Sequence, residues 1–246
     1  MTKDSQLKIG IVIPTYNESA NIESLLNKII IVKEKNDYNL TVLIVDDNSP
    51  DKTGDIVEAF AAKNKGKINL KLMRRSGKLG LASAYKQGFT SLIEECDCLM
   101  SMDADLSHDP EHLPAFVNSF KSGNNLVIGS RYINGGGVKG WGVYRLFISR
   151  VTSIACNILL RVLVKDFTGG FNLYSSNALK ELNLESIKAE GYLFQIEMKY
   201  SLIKKGLKYA ETPIVFNDRQ AGKSKFSRKI MIEAFFGVLK LAFNIK

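Results

Sequence analysis

The sequence predicts an α/β protein built on a mainly parallel, doubly wound sheet flanked by helices. Three observations carry that expectation. Short apolar runs of strand length alternate with stretches of helical period. The polar turns fall on the carboxyl side of successive apolar runs, where open parallel sheets bind ligands. The chain has 246 residues, 45% apolar and 24% charged, enough for a sizeable core in an ordinary globular composition.

The elements follow in order. IGIVIP, from Ile9 to Pro14, reads as a buried strand, and Asn17 to Val32 as a helix with a polar face through Glu18, Asn21 and Asn27. LTVLIV, from Leu40 to Val45, is a second buried strand, followed by a helix from Asp51 to Asn64. Ile68 to Met73 is a short strand, and Gly80 to Ile93 a helix after a glycine-containing loop. Two further strands, Asp97 to Met102 and Asn125 to Gly129, flank a helix from Glu111 to Lys121. Strands separated by helices in this way imply βαβ units. Beyond about Asn134 the texture changes: NGGGVKGWG is a glycine-rich connection, and two mostly apolar stretches, 143–164 and 230–245, read as amphipathic helices that either pack on the core or lie at a membrane interface, the core reading being favoured by the residues alone.

Charge and cysteine usage narrow the classes. The formal charge is +9, which favours anionic partners. Cys96 and Cys98 form C-x-C, and Cys156 stands apart, so buried free thiols are expected rather than a disulfide scaffold or zinc site. The first ten residues lack a signal-peptide core, and no apolar run reaches the ~20 residues that span a bilayer, so a cytoplasmic protein is expected.

Three polar turns invite chemistry: PTYNE, DDNSPD and DADLSHD. On a strand, D-x-D would aim Asp103 and Asp105 the same way. Two such carboxylates fit a hard divalent ion, Mg²⁺ or Mn²⁺, and equally a solvated turn. Asp46, Asp47, Asn48 and Asp51 form a second acidic turn that reads as base or ribose acceptors or as turn chemistry. Tyr16 offers a stacking surface, and Glu18 an acid for a helix start. No G-x-G-x-x-G follows the first strand and no Walker lysine motif occurs. His108 and His112 are expected at the surface or in hydrogen bonds, with His108 nearer the site.

The ordered set is more specific than any member. IVIPTYNE, VDDNSPD, GLASAYKQG, MDADLSHDP and GSRY, in that order, resemble family 2 glycosyltransferases of the GT-A type. DFTGGFNLY, GYLFQIEM and FNDRQAGKSK look like the dolichol-phosphate or polyprenol-phosphate mannose synthase branch. The resemblance implies one GT-A domain over 1–246, with 1–130 binding the nucleotide sugar and 131–246 the acceptor. It implies nucleotide contacts at Pro14, Tyr16, Glu18, Val45 and Asp47. Asp103, Ala104 and Asp105 would meet the metal and donor diphosphate, with Ser107 where some members carry a glutamine metal ligand. Arg131, Arg219 and Lys225 match cationic residues near the phosphates, and Arg145 is expected beside the acceptor phosphate. Catalysis would rest on Asp105 and Arg131. Position 169 is glycine where the family pattern has serine, so no chemistry is assigned there.

The implied reaction is metal-dependent, inverting transfer of mannose from GDP-mannose to a polyprenyl monophosphate. A phosphate monoester, with its second pKa near ~6, is already a nucleophilic dianion at neutral pH, so no activating histidine is needed. UDP-glucose is the alternative donor, and a non-catalytic anion-binding protein the alternative class. Nucleic acid is not expected, because the acidic turns would repel it. A lipid acceptor implies peripheral attachment to a membrane through Phe147, Phe235, Phe236 and Phe243. Small membrane partner subunits are a further expectation.

Overall fold

The structure, a computed structural model, describes residues 6–218 and 228–243. Among these, seven strands form one sheet in the order β3-β2-β1-β4-β7-β5-β8. The strands are β1 (Lys8–Thr15), β2 (Asn39–Asp46), β3 (Asn69–Arg74), β4 (Cys98–Ser101) and β5 (Leu126–Ser130). A short β6 (Gly137–Lys139) lies apart, and β7 (Asn172–Ser175), β8 (Tyr209–Pro213) and β9 (Val215–Asn217) complete the set. Parallel ladders join β1 to β2 and β4, β2 to β3, and β5 to β8, while β7 runs antiparallel between β4 and β5. β6 and β9 form a separate two-stranded ribbon. The mainly parallel sheet is therefore as expected; the reversed β7 is not visible in the apolar pattern, which carries no direction.

Eight α-helices are described: α1 (Ile22–Asn36), α2 (Thr53–Lys63), α3 (Leu81–Leu92), α4 (Leu113–Lys121), α5 (Val143–Leu160), α6 (Ser176–Glu181), α7 (Gly191–Lys204) and α8 (Arg228–Phe243). Two apolar clusters cover the two faces of the sheet. One gathers Ile11, Ile44, Leu25, Ile29 and Phe116 beneath α1, α2 and α4; the other gathers Val12, Val45, Tyr85, Phe89 and Phe194 beneath α3 and α7. Strands buried on both faces read as continuous apolar runs, which is why β1, β2 and β4 were legible.

Three boundaries differ from the sequence expectation for physical reasons. α1 begins at Ile22, not Asn17, because Asn17 takes a left-handed φ of 60° and opens a turn. β4 runs from Cys98 to Ser101, one residue shorter at each end than expected, and Asp103 and Asp105 sit on the turn beyond it. The apolar stretch from 143 breaks at Arg161, whose φ of 55° ends α5 and folds Val164 into the core. All three cysteines are buried and unpaired.

Because β7 runs against its neighbours, the segment before it, 161–171, arrives at the carboxyl edge of the parallel strands. That edge therefore collects the turns after β1, β2, β4 and β5 together with this loop. α3 lies close on the sheet because Gly88 has no side chain: a Cβ there would stand 2.4 Å from Val12 Cγ1. Gly88→Ala is expected to cost about 1–3 kcal/mol of overpacking and to lower Tm by about 2–10 °C in a thermal melt.

Candidate active site

The first two turns tie one another down. Asp46 is buried and accepts from Thr15 Oγ1 at 2.9 Å and from the Ser49 N–H and hydroxyl at 3.0 and 2.5 Å. Ser49 Oγ accepts from Asn17 N–H, Thr53 Oγ1 from Glu18 N–H, and Asp51 from Ser19 N–H. Glu18 accepts from the Asn21 side chain at 2.9 Å, and its carbonyl takes the Asn21 and Ile22 N–H groups, so it belongs to the entrance of α1.

Asp47 is also buried, and its carboxylate already has partners. Oδ1 pairs with the guanidinium of Arg75, and Oδ2 accepts from Leu79 N–H and Gly80 N–H at 3.1 and 3.2 Å. Arg75 also donates to Gly80 O. Asp47 thus shapes the 75–80 loop, which hangs Lys78 over the Tyr16 ring at 4.3 Å. Tyr16 and Pro14 are half-buried at the edge. Val45 and Ala104 have no exposed side chain, so any ligand contact they make is through the main chain.

The third turn is built differently. Leu106 holds a φ of 63°, which a branched apolar residue adopts at a cost of about 1–3 kcal/mol. That strained residue closes the turn so that Ser107 N–H and hydroxyl both reach Asp105 Oδ1, at 3.1 and 2.5 Å. Ser107 therefore spends its proton on Asp105, and both residues are buried. Asp103 is a third exposed on its side chain. Its Oδ1 accepts from Tyr85 Oη at 3.1 Å, and its N–H donates to His108 Nδ1 at 3.0 Å.

His108 is fully enclosed, not at the surface: it stacks on Phe171 at 4.8 Å and meets Phe216 edge-on at 5.6 Å. Burial holds its pKa below the ordinary value, with the nearby aspartates opposing; Nδ1 accepts from Asp103 N–H, which leaves the proton of the neutral ring on Nε2. His112, on a 3-10 turn (Pro110–His112), accepts from Val215 N–H, and Asn217 N–H donates to Ser107 O. These two bonds pin the β6–β9 ribbon beside the acidic turn.

Across from the acids stands a cationic and aromatic wall. Arg131, at the end of β5, forms a forked pair with Asp166, at 2.6 Å to each oxygen, and its own N–H adds a third bond at 3.0 Å. Its guanidinium lies 5.1 Å from the Tyr132 and Trp141 rings and 5.6 Å from Phe216. Arg145, in the first turn of α5, stacks on Trp141 at 3.9 Å and pairs with Asp218 at 3.2 Å. The Trp141 indole N–H is buried with no acceptor among the described residues. Arg219 and Lys225 lie outside the described residues, as does the side chain of Phe235.

The loop 166–170 closes the floor. Lys199 of α7 is entirely buried and donates to the carbonyls of Asp166, Phe167 and Gly169 at 3.3, 2.9 and 2.6 Å. Burial pulls its pKa down to about 7, with the Asp166 charge opposing the fall. Glu211 accepts from the N–H groups of Lys165 and Asp166. Gly170 borders the site: a Cβ there would stand 3.6 Å from Gln195 Nε2 and His108 Cε1 and 3.8 Å from Asp103 Oδ2. Arg75, Asp166, Gln195 and Lys199 were not singled out from the sequence. The DFTGG and FQIEM runs signal the neighbourhood of Asp166, Gln195 and Lys199, nothing of the kind signals Arg75, and nothing local marks a charge as buried.

Among the described residues no group of three or more His, Cys, Asp or Glu could by itself cage a metal. Two carboxylates at one turn nonetheless fit a Mg²⁺- or Mn²⁺-type ion, which keeps several positions for phosphate oxygens and water.

Burial pushes the Asp166 carboxyl up, and Arg131 and Lys199 outweigh it, so its pKa lies below the ordinary value. Its stabilising contribution is then complete above about pH 5 and is lost as pH falls below about 4 toward the folded-state pKa. Asp166→Asn is expected to lose about 3–5 kcal/mol at pH 7 by leaving Arg131 buried without its charge partner. It should also flatten the acid limb of stability, as read by urea unfolding across pH 3–7. Lys199→Met leaves the Asp166 and Phe167 carbonyls without this donor, while Gly169 O keeps the Asn172 side-chain amide, and is expected to cost at least about 2 kcal/mol in the same assay.

Comparison with known proteins gives the family and the fold. Residues 10–182 match the family model described as glycosyl transferase family 2. A polyprenol monophosphomannose synthase of Mycolicibacterium smegmatis is 35% identical over 229 residues, 93% of this chain and 84% of that one. An undecaprenyl-phosphate mannosyltransferase of Micrococcus luteus is 35% identical over 235 residues, 95% and 93% of the two chains. The fold matches glucosyl-3-phosphoglycerate synthase from Mycobacterium tuberculosis, solved with Mn²⁺, UDP and glucosyl-3-phosphoglycerate. That match has a TM-score of 0.70 at 19% identity and covers 98% of this chain and 81% of that one.

Proposed function

The chain belongs to glycosyl transferase family 2 and is a glycosyltransferase, and from that premise we propose that it transfers mannose from GDP-mannose to a polyprenyl monophosphate. The observation that carries this reading is the double use of α5. Its first turn brings Arg145 to the cationic wall, while Val143, Tyr144, Phe147, Val151, Ile154 and Ile158 form one exposed apolar stripe along it. A phosphate-binding wall at the root of an uncovered apolar helix suits an anion on an isoprenoid tail. The names of the two 35%-identical relatives support the same acceptor class.

Each residue then has a task. Asp103 and Asp105 would hold the divalent ion, which when bound neutralises the charge developing on the leaving nucleoside diphosphate. Ser107 and Leu106 fix Asp105. Pro14, Tyr16 and the 75–80 loop shaped by Asp47 form the nucleotide side, and Glu18 steadies its entrance. Arg145 and the Trp141 N–H face the acceptor phosphate, and Arg131 props that wall from behind, locked to Asp166. Arg219 and Lys225 are assigned to the phosphates from the family pattern alone. The acceptor dianion attacks the anomeric carbon directly, so an α-linked donor yields a β-linked product.

α5 is 18 residues long, about 27 Å, and long and apolar enough to cross a membrane by length and composition. Arg145 binds Asp218 and Trp141, and Ser149, Ser153, Cys156 and Leu160 are buried along the helix, so α5 is docked on the domain along its length. We therefore assign it a position flat in the interface, with Phe236 and Phe243 of α8 exposed on the neighbouring helix and Arg150 and Arg161 near anionic headgroups.

Purified protein given GDP-mannose or UDP-glucose, each with polyprenyl phosphate and Mg²⁺ or Mn²⁺, is expected to make lipid product with GDP-mannose; product with UDP-glucose alone overturns the donor assignment. Asp105→Ala should reduce transfer at least about a hundredfold while the thermal melt stays cooperative, and near-normal turnover would count against the metal role. Phe147→Ser with Ile154→Ser removes two exposed side chains worth about 1.5–3 kcal/mol each on full burial. Sedimentation with anionic liposomes should then fall at least tenfold (about 1.4 kcal/mol), and unchanged pelleting would remove α5 from the membrane contact.

A further inference from the structure

Tyr85 has no place in the reaction described so far, yet its hydroxyl reaches the site. The residue lies on α3 and is entirely buried. Its ring stacks between Phe89, at 5.7 Å, and Phe194 of α7, at 6.1 Å with the planes 3° apart. Phe89 is in turn braced edge-on by Tyr174. A phenol held this way has little rotational freedom, and its Oη points at Asp103 Oδ1, 3.1 Å away. A phenol hydroxyl against a carboxylate oxygen is the donor of that pair, since an ionised carboxylate can only accept.

The consequence falls on the other oxygen. Oδ1 is occupied by the phenol. Oδ2 faces the region bounded by His108 Nε2, 3.9 Å away, and by the missing side chain of Gly170. We propose that Tyr85 is a positioning residue that makes Asp103 a one-oxygen ligand and thereby sets which divalent ion the site accepts. A carboxylate that offers one oxygen suits the six-coordinate Mg²⁺ and Mn²⁺. Ca²⁺, with six to eight ligands, gains from a carboxylate free to turn and bind through both oxygens. The phenol withholds the second oxygen. This inference rests on the metal reading of the acidic turn, and it adds ion selectivity to it.

Tyr85→Phe deletes one oxygen and preserves the stack. Titration of the full chain with Mn²⁺, followed by the free-ion paramagnetic signal with and without GDP, reads the effect without reference to turnover. Loss of an outer partner of a metal ligand weakens binding about 10–100-fold. Tyr85→Phe is expected to fall in that range for Mn²⁺, and to lose less for Ca²⁺ in competition, so that the Mn²⁺/Ca²⁺ affinity ratio drops. The Mn²⁺ needed for half-maximal transfer should rise, with kcat recovered at saturating ion. Phe194→Leu keeps the hydroxyl and loosens the stack, and is expected to shift the ratio in the same direction by a smaller factor. Wild-type Mn²⁺ affinity and ratio in Tyr85→Phe, with binding lost in Asp103→Asn, overturn this inference alone. Binding that survives Asp103→Asn and Asp105→Asn as well overturns the metal reading and this inference with it.

Discussion

The site depends on one buried ion pair. Arg131 and Asp166 are joined by a forked contact where neither is exposed to water by more than a few per cent. Such a pair is strong only if its remaining hydrogen-bonding capacity is met, and here it is. Asp166 also takes the N–H groups of Arg131 and Gly169, and Arg131 also reaches Thr168. The pair ties the end of β5 to a loop with no regular structure. That loop's main-chain groups are met in turn by Lys199, Glu211 and Ser153. An irregular loop can be buried only when its polar groups have such partners. The loop then delivers Gly170 to the acids and Phe171 to His108.

Acidic residues at the strand ends divide into two trades. Asp46, Asp47 and Asp166 have both oxygens engaged by protein donors, and they hold turns in shape. Asp103 has one oxygen so engaged and the other toward the cleft. The ligand chemistry proposed above thus falls in a single turn whose strained Leu106 is tied to the β6–β9 ribbon through Ser107 O.

Much of this was legible in the sequence, and the limits have physical causes. Strands buried on both faces write themselves as apolar runs, so the sheet and its ligand-bearing edge were readable. The D-x-D pair was expected just beyond a strand, and it sits in the turn there. What holds that turn, a left-handed Leu106, is something no periodicity marks. His108 read as a surface or hydrogen-bonding residue near the site, and it does bond to Asp103 N–H; its burial was not legible, because a lone histidine in a polar run gives no sign that aromatic rings from two distant segments enclose it. Arg75, Asp166 and Lys199 were missed for a similar reason: their partners lie 28 to 35 residues away. Burial of a charge is a property of the packed fold, and only a resemblance over the whole chain could have hinted at it.

Diffraction from crystals grown with Mn²⁺ and GDP, recorded at a wavelength where manganese scatters anomalously, tests the central claim most directly. The expected result is one anomalous peak bonded to Asp103 Oδ2 and to the Asp105 carboxylate, with the diphosphate completing its shell on the side facing the Arg131–Arg145 wall. Nucleotide bound at the sheet edge with no manganese beside those carboxylates, or manganese bound elsewhere, would contradict it.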